Sequence, residues 1–405
     1  MEEPFIGAAE LDALRGVVES RQLWRGASGN FAARFEDEFG KHVGRKYVLA
    51  VSAGTAANEA ALAGCGIGPG DEVICPPCSF IASSLSAVAL GAVPVFADVD
   101  PRNMLITAEA IEKALTPRAR AVVVVHLGGQ PAEMEPILAV ARKHNLLVIE
   151  DCAQAYDAYY KGKKVGTFGD AACYSMQQSK HITCGEGGIV TTDDPEIYKR
   201  ALLYANCGMP WYRYDLEAPI AEPIGGVLTR GHFAFGHNYR ISELQAAVAL
   251  AQLGKIEAFN RHRAELVKAL EQELAEAPGI SLPHVYPGTQ PNHWSYPIWL
   301  DVERLGVGTA EFCKRCAEEH GAGPGPYAEV NYLEAVYQEM NRTRRTSLGT
   351  PLPDYVRYDP GTCPNAEAAA RRLCVVLTHH SVTIEHMRKV GCAIGETARA
   401  LVRPR

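Results

Sequence analysis

From about residue 46 the chain alternates short apolar runs with stretches of helical periodicity, and few folds accept that order. "KYVLAVSA" reads as a buried strand and "GTAANEAALAGCGI" as the helix after it. "DEVICPP", "VPVFADV", "AVVVVHLGG" and "LLVIEDCA" read as further strands, separated by helices at "SFIASSLSAVALGA", 107–116 and 131–145. Strands that are apolar throughout are covered on both faces, and strands alternating with helices are joined in parallel. "AACYSM" and "GGIVTTD" add two more strands. The pattern predicts a large α/β domain over residues 1–255, with an N-terminal helical segment and a mostly parallel, seven-stranded sheet. The periodicity of "ISELQAAVALAQLGKIEAFNRHRAELVKALEQELAEA" is too long for one uninterrupted helix, so a kink or break is expected within it. Beyond it the pattern resets: a strand at "HWSYPIWLD", a helix at 308–320, an irregular segment at 322–362, a helix at "NAEAAARRL", a strand at "CVVLT" and a helix at 383–402. This predicts a smaller C-terminal α+β domain over 256–405.

Composition removes several function classes. A chain of 405 residues exceeds a single simple core, and 47% hydrophobic with 21% charged residues is ordinary for a globular enzyme. The net charge of -7, with no Lys/Arg cluster, argues against a nucleic-acid surface. The longest apolar stretch, near 81–99, is interrupted by Ser83, Ser84, Ser86, Gly91 and Pro94, so no membrane span is expected. Residues 1–25 carry Glu2 and Glu3 and no apolar secretory core, which predicts a cytoplasmic protein. The 12 cysteines are scattered, many in apolar runs such as those of Cys152 and Cys374. Two CxxC pairs, Cys75/Cys78 and Cys313/Cys316, lie far apart and in different predicted domains. Packing is therefore expected of them rather than zinc or redox chemistry, and no metal is expected.

Ligands of open α/β sheets bind beyond the carboxyl ends of the strands, and three of those ends carry residues suited to chemistry. After the first strand, Gly54 and Thr55 open a helix, whose N–H groups and hydroxyl suit a phosphate. There is no GxGxxG and no Walker lysine, so neither a dinucleotide enzyme nor a nucleoside triphosphatase fits. "LLVIED" ends in Glu150 and Asp151, where a buried carboxylate needs a partner; holding a cofactor's ring nitrogen protonated is one such role, a helix cap or ion pair another. Lys180, in "SMQQSKHITCGEGG", stands among hydroxyls, amides and glycines in a stretch short of charge. A lysine in such a pocket loses basicity by desolvation, which favours Schiff-base chemistry over an incidental place on a turn.

These residues lie in a longer ordered series: "FEDEFGKHVGRKYVLAVSAGTAANEAAL", "GDEVICPPCSFIASS", "GAVPVFADVDPRNM", "HLGGQPAEMEPI", "IEDCAQA", "SMQQSKHITCGEGGIVTTDD" and "FGHNYRISELQAAVALAQL". The series resembles the DegT/DnrJ/EryC1/StrS family of pyridoxal-phosphate sugar aminotransferases over nearly the whole chain. The resemblance implies a fold-type I transferase that binds pyridoxal 5'-phosphate and works as a homodimer with shared active sites. It implies that Lys180 holds the cofactor covalently and shuttles a proton, and that Asp151 pairs with the pyridinium nitrogen. Phe80 would stack on the ring, Gly54, Thr55 and Ser175 would bind the phosphate, and Gln154 would lie near the phenolic oxygen. Asn238 would reach the phosphate of the neighbouring subunit's cofactor.

In one relative of this family a histidine replaces the lysine, and that enzyme is a sugar dehydratase. Counting back from "GEGG" puts Lys180, not His181, in the lysine position, so transamination is favoured. "SMQQSK" and "LWRG" are most similar to the aminocyclitol branch, which uses L-glutamine to aminate scyllo-inosose and related ketones. The expected function is transfer of an amino group from L-glutamine or L-glutamate to a keto sugar or keto cyclitol. Alternatives are an aromatising dehydratase like 3-amino-5-hydroxybenzoate synthase, or a non-catalytic cofactor-binding sensor on the same fold.

Overall fold

The computed structural model describes residues 5–26, 30–327 and 329–402. Strands β1 (Tyr47–Val51), β2 (Glu72–Cys75), β3 (Val93–Phe96), β4 (Ala119–Val125), β5 (Leu147–Asp151), β6 (Ala171–Ser175) and β7 (Gly188–Thr192) form one seven-stranded sheet in the order β1-β7-β6-β5-β4-β2-β3. Only β7 runs against its neighbours: it is antiparallel to β1 and β6, and the other pairings are parallel. The loop 176–187 contains no crossover helix and closes on itself through Met176 N to Gly187 O, so it joins β6 and β7 as antiparallel neighbours.

Helices α1 (Ala8–Ser20), α2 (Phe31–Val43), α3 (Gly54–Gly64), α4 (Ala82–Ala89), α5 (Ala108–Lys113), α6 (Met134–Lys143) and α7 (Pro195–Ala205) accompany this sheet. Their starts follow from local chemistry: the side chains of Asn30, Thr107 and Asp194 accept N–H groups of the first turns of α2, α5 and α7. Alternate strand residues feed two cores. Leu49, Val51, Val73 and Ile149 enter one, and Val48, Ala50, Ile74 and Val148 enter the other.

The expected break in the long helical stretch falls at Gly254-Lys255, dividing α8 (Glu243–Leu253) from α9 (Ile256–Leu274). Beyond α9, strands β8 (Ile280–Ser281), β9 (Ser295–Leu300), β10 (Gly325–Pro326) and β11 (Leu373–Leu377) form a four-stranded antiparallel sheet, order β8-β9-β11-β10. Apart from the single turn Val302–Leu305, the later helices are α10 (Thr309–His320), α11 (Ala335–Thr343), α12 (Pro364–Ala370) and α13 (Ile384–Leu401). α9, α10 and α13 close a third core with this sheet through Leu270, Phe312, Ile394, Ile298 and Cys374.

Two features depart from the sequence reading. Segment 322–362 is not irregular throughout: it contains α11, whose buried apolar side chains are only Tyr337 and Met340, too few to display a period. Its side chains turn back to the first sheet. The Tyr337 hydroxyl hydrogen-bonds Ser84 Oγ at 2.7 Å, and the Tyr358 hydroxyl donates to Pro94 O at 2.8 Å. Tyr159–Tyr160, Lys163–Lys164 and Thr289–Gln290 also pair into a small three-stranded sheet, from runs too short to recognise. Cys75, Cys78, Cys313 and Cys316 are buried free thiols. No helix among the described residues is long and apolar enough to cross a membrane.

Candidate active site

The carboxyl ends of β1, β5 and β6 open into a cavity of about 660 Å³. Seven of the eight residues singled out in the sequence line it: Gly54, Thr55, Phe80, Asp151, Gln154, Ser175 and Lys180. Asn238 does not. It is exposed, at the end of segment 209–237, and forms an isolated bridge with Asn206.

Close backbone approach builds the cradle at the N-terminus of α3. A Cβ on Gly54 would stand 2.7 Å from Ser175 Cβ and 2.9 Å from its Oγ, and one on Gly188 would stand 2.1 Å from Ala53 O. Glycine at both positions lets the tips of β1, β6 and β7 converge. The Ser175 hydroxyl then sits against the first turn of α3, whose N–H groups have no intrahelical partners. An anion held there meets backbone donors, the Thr55 and Ser175 hydroxyls and the positive end of the helix.

Strand parity separates the two acids that end β5. Glu150 points away from the cavity, fully buried, and accepts the N–H groups of Gly166, Phe168 and Gly169 at 2.7 Å each and His126 Nε2 at 3.2 Å. Burial works against its charge, yet His126 and these N–H groups hold it below the usual glutamate range. Asp151 points into the cavity at 5% exposure. Its Oδ2 accepts Ser83 Oγ at 2.7 Å and Asn58 Nδ2 at 3.4 Å, and its Oδ1 accepts the Ala153 N–H at 3.1 Å. Ser83 and Asn58 were missed in the sequence. Their signal was weak: polar residues within helices that otherwise read as apolar.

Lys180 rides on the loop between β6 and β7, which closes through Met176 N to Gly187 O (2.8 Å), Gln178 N to Gly185 O (3.0 Å) and Lys180 N to Gln177 O (2.9 Å). Its amine enters the cavity and loses basicity from 10.5 to about 8. Burial is the main cause and Arg263 adds to it, while Asp151 and Glu329 oppose. His181, next in the chain, is fully buried and is not part of the cavity lining. Burial, with Arg263 and Lys180 nearby, drives its pKa far below the ordinary imidazole value, so it is neutral.

Gln154 accepts the Gly128 N–H at 2.7 Å, which fixes its amide at the cavity wall. Phe80 is 61% exposed, so it is not a core residue; its ring borders the cavity opening. The C-terminal half supplies the opposite wall with Trp294, Ser295, Tyr327 and Glu329, together with Leu373, Val375 and Leu377 of β11. Apart from Tyr327, which stands with Glu329 near the start of segment 322–362, none of these was marked by local sequence; Tyr327 and Glu329 face Lys180's side of the cavity. Lys180 is the one basic side chain among the described lining residues, against Asp151, Glu186 and Glu329.

Comparison with known proteins identifies the family. Residues 4–395 match the model of the DegT/DnrJ/EryC1/StrS aminotransferase family. The chain is 41% identical over 287 residues to a GDP-perosamine synthase of Caulobacter vibrioides, covering 70% of this chain and 72% of that one. It is 33% identical over 366 residues to the spore coat polysaccharide biosynthesis protein SpsC of Bacillus subtilis, covering 87% and 89%. An aminotransferase from Psychrobacter cryohalolentis superposes with a TM-score of 0.85 at 30% identity, covering 98% of each chain. The fold is that of the pyridoxal-phosphate-dependent DegT-family aminotransferases. The chain belongs to the DegT/DnrJ/EryC1/StrS aminotransferase family and is an aminotransferase.

Proposed function

We propose that this enzyme uses pyridoxal 5'-phosphate to move an amino group from L-glutamine or L-glutamate to a keto sugar or keto cyclitol. One observation carries the reading: a lysine amine of lowered basicity shares one cavity with a buried carboxylate and a helix N-terminus that glycines open to a phosphate. The residues present fit the cofactor, since a Cβ at Gly54 would fill the cradle against Ser175. Bound there, the cofactor supplies a carbonyl carbon open to amines and a conjugated ring that withdraws electrons.

The chain's own groups do the rest. At neutral pH a larger share of Lys180 is free base than of an ordinary lysine, so its Nζ can attack a carbonyl carbon and later carry a proton. Asp151, fixed by Ser83, would present its carboxylate to the cofactor's ring nitrogen and keep it protonated. Gly54, Thr55 and Ser175 would hold the phosphate, Phe80 would stack on the ring, and the Gln154 amide would lie near the phenolic oxygen.

Lys180 in the cavity, with His181 outside it, supports transamination over dehydration. The amino-sugar product named for the Caulobacter relative supports a keto sugar acceptor. The excess of acids over bases in the lining suits an uncharged polyhydroxy ketone, such as a cyclitol like scyllo-inosose. We infer a cytoplasmic homodimer. Segment 209–237 exposes Ile220, Ile224, Leu228 and Phe235 together, an apolar arm that needs a cover, and Asn238 follows it as a group for the partner's cofactor phosphate.

The test is the visible spectrum of the purified protein with pyridoxal phosphate, before and after L-glutamine. The band of lysine-bound cofactor is expected, with its conversion to the pyridoxamine form on adding donor. Failure of any band to form would overturn the reading. A band unchanged by glutamine and glutamate would leave the fold's cofactor chemistry standing and remove the amino donor.

A further inference from the structure

On the reading proposed above, Lys180 is released from the cofactor during part of each cycle, and its amine then needs a fixed place. Among the described residues Lys180 has no ion-pair partner, so no carboxylate provides that place. An aromatic face does. Lys180 Nζ lies 4.1 Å from the centroid of the Trp294 ring.

The indole is held where it is. Its Nε1 donates to Ser179 O at 2.8 Å, so the ring is tied to the residue just before the lysine. Its backbone carbonyl lies 3.5 Å from Nη1 of Arg263, a fully buried side chain whose Nη1 also donates to Thr378 O at 2.9 Å. Trp294 immediately precedes β9, so the ring is carried by the second sheet and meets a loop of the first. Ring and lysine come from opposite walls of the cavity, and the bond to the Ser179 carbonyl ties the ring to the loop that carries Lys180.

We propose that Trp294 is a positioning residue, the face of whose indole holds the Lys180 ammonium whenever the lysine is not joined to the cofactor. A cation over the centre of an aromatic ring is attracted by the ring's quadrupole, and most strongly where water is excluded. The other groups facing Lys180 are Asp151 and Glu329, which attract the ammonium, Arg263, which repels it, His181, which is neutral, and Glu186 across the lining. Arg263 and burial favour the free amine, while the indole face favours the ammonium and fixes its location. The ring thereby keeps the nitrogen in reach of the position it must re-enter.

The experiment uses the cofactor-free full chain. Trace acetic anhydride is applied across a pH series, and acetylation of Lys180 is read by mass spectrometry of its peptide. Trp294→Leu keeps an apolar side chain but loses the ring face, and the midpoint for Lys180 should fall by about one pH unit. Trp294→Phe keeps a face without the N–H, and its midpoint should stay close to that of the unaltered chain. A Trp294→Leu profile that matches the unaltered chain overturns the proposal. So does a Trp294→Phe midpoint that falls as far as that of Trp294→Leu, because the bond to Ser179 would then be the cause. If Trp294→Leu does not fold by circular dichroism, the unaltered sequence made with fluorinated tryptophan decides. Fluorination weakens the ring's negative face at nearly constant shape, so the midpoint must fall; a constant midpoint refutes the role. None of these readouts depends on turnover, so they separate from the spectral test of cofactor use.

Discussion

Replacing Lys180 by methionine should stabilise the cofactor-free protein, and the gain should depend on pH in one direction only. Burial takes the lysine from its ordinary 10.5 to about 8. That difference corresponds to up to about 3 kcal/mol of penalty on the folded state when the lysine is charged. The folded pKa lies below the unfolded one, so between about 8 and 10.5 the unfolded chain binds more protons and stability rises with pH. Below about pH 8 both states are protonated and the whole penalty is present. Lys180→Met lacks this titration. Its advantage over the unaltered protein should therefore be largest near pH 7 and shrink by up to about 3 kcal/mol as pH approaches 10.5. Other titrating groups, the tyrosines included, cancel in the difference. Urea unfolding of both cofactor-free proteins across that range measures it. A difference that stays constant with pH would falsify the account of Lys180 as a buried amine. The physical meaning is a trade: the fold tolerates a destabilising charge because the same desolvation leaves the amine ready to react.

Two further substitutions test the walls of the site. Ser83→Ala removes the 2.7 Å bond to Asp151, and hydrogen bonds to charged groups are worth about 1.5–3 kcal/mol. Retention of pyridoxal phosphate, measured by fluorescence titration, should weaken at least about tenfold, and unchanged affinity would remove Ser83 from the site. Gly54→Ala places a methyl group 2.7 Å from Ser175 Cβ, against ordinary contacts of 3.4–4 Å. Its overpacking cost of about 1–3 kcal/mol is offset by about 1 kcal/mol of helix propensity. A lowered melting temperature together with weaker phosphate binding is expected, and a variant that melts and binds like the parent would show that the cradle is not tight.

Much of the catalytic half was legible because its information is local. The apolar runs that became β1 to β7 announce buried strands, and the polar, glycine-rich loop around Lys180 interrupts that pattern at a strand end. Once the strands are known to be mostly parallel, topology does the gathering: their carboxyl ends share one edge, so Gly54, Asp151 and Lys180 must meet there. That the long helical stretch is broken followed from its length alone, whereas the place of the break, Gly254-Lys255, came from the structure. α11 was not legible, since two buried side chains on nine residues carry no period and its hydrogen bonds run to Ser84, far back in the chain.

The sequence by itself determined the order of strands and helices, the residue types at the strand ends and the presence of one lysine in a charge-poor loop. The β5 run alone left Glu150 and Asp151 equivalent, and only the resemblance chose Asp151. The tertiary structure supplies the physical reason, since the backbone N–H groups of Gly166, Phe168 and Gly169 take up Glu150 on the other face of β5. It alone brought Trp294, Tyr327 and Glu329 to the wall opposite Lys180. The physical reason is one of range: hydrophobic periodicity is written between neighbours in the chain. The contacts that tune an amine's charge are made between residues whose separation in sequence carries no pattern.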